Sequence, residues 1–114
     1  MQILKTMRIK DNLACHSVCS FYEEGDILVA KKYVNGDNFG VIEQIHGIYD
    51  DIGAVAFDYI VKVKISQDVK MGDILAEYKH KQLVKKYRKV AYIKRLIALE
   101  DGINGDIIEA QIIY

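Results

Sequence analysis

The chain has no proline among its 114 residues. Every break between elements must therefore be made by glycine, asparagine and aspartate, which tolerate or favour turn conformations. No apolar run approaches the roughly 20 residues of a membrane span. The Ile-rich end, residues 103–114, is too short and carries Asp106 and Glu109. The first dozen residues lack the long apolar core of a signal peptide. These absences lead to the expectation of a soluble, unexported, cytoplasmic protein with no membrane partner. There is also no low-complexity tract or linker, and the length suits one domain, residues 1–114, with one modest core.

Cysteine is scarce, with Cys15 and Cys19 only. Four residues apart on a helix they would share a face with Cβ atoms roughly 5–6 Å apart. A disulfide needs about 3.8 Å between Cβ atoms, so free thiols are expected. Cys15, His16 and Cys19 resemble part of a metal site, but no second ligand pair has matching spacing, and His46 and His80 stand alone. Neither a metal nor another cofactor is expected.

Catalytic signatures are missing too. Neither cysteine nor any serine stands in a nucleophile-elbow or cysteine-protease context. The segment between Gly36 and Gly40 lacks the spacing and the lysine of a phosphate loop. Asp50 and Asp51 read as solvated turn acids, and His46 as a structural histidine. The chain is not expected to be an enzyme.

What is present is segregated charge. The totals cancel, 16 Lys and Arg against 16 Asp and Glu. Residues 1–59 hold five bases and nine acids, residues 60–99 eleven and three, and residues 100–114 four acids and no base. Half of the positive charge lies in residues 79–95, interleaved with Leu83, Val84, Tyr87, Val90, Tyr92 and Ile93. Clustered cations neutralise phosphates, and aromatic faces stack on unpaired bases. The candidate RNA-binding set is Lys79, Lys81, Lys85, Lys86, Tyr87, Arg88, Lys89, Lys94 and Arg95. Against this stands the plainer reading of a solvated lysine face over core tyrosines.

Periodicity supplies the elements. Residues 2–9 alternate as a strand. Asp11 and Asn12 look like an N-cap, and Ala14, Val18 and Phe21/Tyr22 recur at helical spacing, so residues 13–22 are expected to form a short helix closed by Gly25. Residues 27–34 and 54–65 read as strands, the last with Tyr59, Val61, Val63 and Ile65 on one face and Ile60, Lys62 and Lys64 on the other. Residues 39–49 fit either a helix, through Phe39, Ile42, Ile45/His46 and Tyr49, or a twisted strand, and the hairpin signal that follows favours the strand. Asn35-Gly36 and residues 50–53 are turn signals. Residues 79–88 are expected to form a second short helix, and residues 89–99 and 106–114 strands. Gly25-Asp26-Ile27-Leu28 returns as Gly72-Asp73-Ile74-Leu75 and nearly as Gly105-Asp106-Ile107-Ile108. The unequal spacing favours turn chemistry used three times over a duplication. The expected class is α+β, mainly antiparallel β, a small barrel with two short helices.

A strand, a short helix, then Gly25-Asp26 entering an apolar strand resembles the opening of PUA-like pseudobarrels, and the later strand through Tyr59 to Val63 and the closing strand pair agree. In size and style the chain also resembles the PrgU-like small proteins of enterococcal pheromone-responsive conjugative plasmids. The resemblance implies a PUA-like fold and an RNA-linked regulatory role restraining conjugation and surface-adhesin genes. The alternative expectation is a protein-interaction module or homodimeric adaptor, its Ile-rich terminal strand an exposed sheet edge open to a partner.

Overall fold

The computed structural model describes residues 2–34, 38–45, 51–77, 84–86 and 95–113. Nine strands make up the described architecture: β1 (Gln2–Ile9), β2 (Val18–Glu24), β3 (Ile27–Lys31), β4 (Asn38–Ile45), β5 (Ile52–Lys64), β6 (Ile74–Glu77), β7 (Val84–Lys86), β8 (Arg95–Ala98) and β9 (Ile107–Ile113). There is no helix among the described residues, and none long and apolar enough to cross a membrane. The class is all-β, which corrects the α+β expectation.

Neither expected helix forms among the described residues. Asp11, Asn12 and His16 all have positive φ, at 63°, 53° and 66°, a region that no right-handed helix can contain. Asp11 does cap a backbone donor, but one just past β3: the Lys32 N–H donates to its Oδ2 at 3.0 Å. Residues 18–20 are then buried in succession as β2, which pairs with β3 and β4. In the second expected helix the described part, Val84–Lys86, is a strand paired with β6.

Five strands close a barrel in the order β1-β3-β2-β4-β5, with β5 pairing back to β1. All its ladders are antiparallel except a short parallel one, where Arg8 faces Val29 and Ile9 faces Ala30. A second sheet continues from β5 through β9, β8 and β6 to β7. The Ile-rich β9 is paired on both edges, by β5 and β8, so it is not the free edge that its composition suggested. That position belongs to β7 in the order of described strands.

The strand β5 serves both sheets because a bulge redirects it. Opposite β1, Gln2 pairs with Tyr59 but Leu4 with Ala56, so β5 holds an extra residue there. Tyr59 takes φ 57°, the sharp local bend that a bulge introduces. Beyond it, Val61 and Val63 are buried while Lys62 and Lys64 are exposed, as the alternation predicts. Tyr59 departs from that pattern and is half exposed.

Two cores result. Met7, Ile9, Leu13, Cys19, Ala30, Ile42 and Val55 fill the barrel. The second core joins the barrel's outer wall, including Val18, Val41 and Ala56, to the inner face of the second sheet, with Val61, Val63, Leu75, Leu96, Ile108 and Ile112. Parts of β2, β4 and β5 are thus buried on both faces. Gly25 sits in the two-residue β2–β3 turn at φ 64°; it has the glycine-favouring angle expected of it, though it ends a strand. Leu96→Ala should cost about 2–5 kcal/mol, and Gly25→Ala about 1–2 kcal/mol through backbone strain alone. Urea unfolding of the two variants should rank them in that order.

Candidate interaction surface

The basic stretch falls mostly outside the described residues: Lys79, Lys81, Tyr87, Arg88, Lys89 and Lys94 are not among them. The backbone of the other three is placed. Lys85 sits opposite Ala76 and Lys86 opposite Leu75, on β7. Arg95 begins β8 opposite Ile113, on the other side of β6 from β7.

A second constellation is complete. Two loops, residues 66–73 and 99–106, meet at the end of the second sheet through a bridge in which the Val69 N–H donates to Gly102 O at 2.9 Å and the Gly102 N–H to Val69 O at 3.1 Å. Each loop contains a β-turn closed by an aspartate. The Asp73 N–H donates to Lys70 O at 3.0 Å, and the Asp106 N–H to Ile103 O at 2.9 Å. Gly72 and Gly105 occupy the third turn position at φ 93° and 95°, as type II turns require. The turn aspartate also accepts from the first residue of its turn, Asp73 from the Lys70 N–H and Asp106 from the Ile103 N–H. The loops then cap each other reciprocally: Asp101 accepts from the Met71 N–H at 2.8 Å and Asp68 from the Asn104 N–H at 2.9 Å.

The consequence is a rigid tip. Four carboxylates line its cleft of about 480 Å³, yet each already holds a main-chain donor. Beside an exposed ion pair, Lys70 Nζ 3.9 Å from Asp101 Oδ2, the tip presents two apolar side chains: Met71 is 69% and Ile103 65% exposed. Single exposed apolar residues are ordinary. Met71 and Ile103 sit on loops whose backbones are fixed by their own hydrogen bonds.

The junction of the two sheets holds the remaining polar cluster. Ile42 pairs with Val55 but Gln44 with Ala54, so Glu43 is a bulge residue on β4. Its carboxylate is re-aimed past the barrel to accept the Lys62 N–H at 2.8 Å. His16 Nδ1 lies 3.1 Å from Lys62 O and 3.9 Å from Glu43 Oε2, and His16 O accepts the Lys64 N–H at 2.9 Å. The edge of β5 beyond its bend is thus held by the barrel, which makes the pair structural. Cys15 and Cys19 are free thiols, and burial pushes Cys19 from an ordinary value of 9.0 up to about 12. Among the described residues no group of three or more His, Cys, Asp or Glu could hold a metal ion.

The fold is similar to a solved structure, the head fiber gp8.5 N base of bacteriophage phi29. The TM-score is 0.69 over 99% of this chain and 95% of that chain, at 17% sequence identity. No known family profile matches the sequence, and no curated protein matches it.

Sequence reading identified the Gly-Asp turns but not that two of them meet. Asp68 and Asp101 precede Gly72 and Gly105 by four residues, and their partners lie 36 and 30 positions away along the chain. Glu43 gave no signal, and His16 stood out only beside the two cysteines, because the bulge that unites Glu43 and His16 is a feature of strand register.

Glu43→Ala should destabilise the protein by about 1–3 kcal/mol by leaving a backbone donor without its partner, whereas Glu43→Gln, which keeps an acceptor oxygen, should lose less; urea midpoints separate the two. In the native protein a thiol reagent at pH 8 should modify Cys15 and spare Cys19, since the thiolate is the reactive form. Because the folded state holds the Cys19 proton more tightly, its contribution to stability is complete below about pH 9 and falls as pH rises toward about 12. Thermal melts across that range should show the decline, and Cys19→Ala should flatten it.

Proposed function

We propose that the protein is a non-catalytic structural module that works by surface contact with other protein, using the paired loops at the end of the second sheet. The observation that carries this reading is the tip itself: its four aspartates are committed to the loop backbones, and Met71 and Ile103 face outward. Large apolar side chains held on a stiff frame suit an interface, where ordering costs reduce affinity. The similar fold of a phage head fiber base supports a structural role.

A second reading is RNA binding by a small regulatory protein, as the PUA-like and PrgU-like resemblance implies. It is favoured by the two adjacent lysines, Lys85 and Lys86, on the outermost described strand, within the basic stretch.

One experiment separates the two. A photo-reactive phenylalanine analogue replaces Ile103 in cells making the protein, and the cross-linked products are identified by mass spectrometry. The structural reading expects a defined protein adduct that disappears when Met71→Asp is added. Recovery of no protein adduct would overturn it. Co-purifying RNA whose affinity falls steeply with salt would transfer the assignment to the basic stretch.

A further inference from the structure

We infer that the loop tip of one molecule docks into a cleft at the far end of a second copy of the same chain, in a head-to-tail contact. This rests on the structural reading above and names its partner. The cleft lies where β1 and β3 part. They pair only at Arg8–Val29 and Ile9–Ala30, and the strand segments before those pairs line a hollow of about 400 Å³. Its lining includes Lys5, Arg8, Asp26, Ile27 and Ile52, with Ile27 50% and Ile52 40% exposed.

The two surfaces match in chemistry. Each has an apolar centre of two exposed residues, Met71 and Ile103 on the tip and Ile27 and Ile52 in the cleft. Their charges are opposite. The tip lining holds Asp68, Asp73, Asp101 and Asp106 against Lys70, a net of −3. The cleft lining holds Lys5 and Arg8 against Asp26, a net of +1. Arg8 Nε also lies 3.9 Å from Asp51, with both side chains 55% exposed, and an exposed pair of this kind exchanges partners at little cost.

Geometry makes the contact intermolecular. Ile52, in the cleft, opens the 13-residue β5. Ile65, just past its other end, is bonded to both Asp106 and Gly105 of the tip. The two surfaces thus lie at opposite ends of β5, the cleft on the barrel and the tip on the second sheet. A tip-to-cleft contact therefore uses different patches on the two copies, and it propagates into a ring or a filament.

The test is sedimentation of the full chain up to about 1 mM, where even weak association shows. Wild type should form species larger than a monomer, less so at high salt. A tip variant, Met71→Lys with Ile103→Lys, and a cleft variant, Ile27→Glu with Ile52→Glu, should each be monomeric. Mixed in equal amounts they should form a dimer and nothing larger, because only one intact tip and one intact cleft remain. Circular dichroism checks that both are folded; if either is not, the Ile103→Ser and Ile27→Ser pair gives the same readout. A monomeric wild type across the range, or a mixture that stays monomeric, overturns the inference. If wild type is monomeric while the residue-103 cross-link still captures a different protein, the structural function stands and only self-association falls.

Discussion

One strand holds the molecule together. β5 pairs with β4 and β1 before its bend and with β9 after it, so the barrel and the second sheet share a single backbone. A strand can do this only if its edges are satisfied throughout, because an unpaired buried N–H or C=O costs as much as a lost hydrogen bond. The two bulges solve that problem together. The bulge ending at Tyr59 turns β5 away from the barrel, and the bulge at Glu43 sends a carboxylate after it to take the Lys62 donor. His16 completes the edge with its ring and its carbonyl. Val61 and Val63, which follow the bend, can then be buried completely without abandoning main-chain polar groups.

The same arrangement explains which parts of the fold were legible in the sequence. Where one face of a strand is solvated, as in β9 and the second half of β5, alternation survives and the strand is readable. Where a strand is sandwiched between barrel interior and second sheet, burial becomes continuous and the period disappears. Val18, Cys19 and Ser20 are all fully buried, so the only apparent rhythm near them was the spacing of Ala14, Val18 and Phe21, which imitates a helix. Ala14 is in fact exposed. The position of β9 was illegible for a related reason: an isoleucine-rich strand fits a sheet interior as well as an edge, and only its partners decide.

The candidate surface was half visible. Gly72-Asp73 and Gly105-Asp106 announce turns in any context, because the glycine angle and the aspartate cap are local physics. Their meeting is not local. It depends on Val69 bridging Gly102 and on each loop capping the other, contacts across about a third of the chain. The basic stretch, by contrast, is conspicuous as composition and contributes only Lys85, Lys86 and Arg95 to the described strands.

The acids change meaning once the structure is read. Asp11, Glu43, Asp68, Asp73, Glu100, Asp101 and Asp106 each accept a main-chain N–H. In a chain without proline, carboxylates take over the stiffening of loops while keeping their negative charge. At the paired loops this has a functional sense. Hydrogen bonds fix the backbone before any partner arrives, so a contact made through Met71 and Ile103 need order little more than those two side chains. Such a surface would gain affinity by having less to lose on binding.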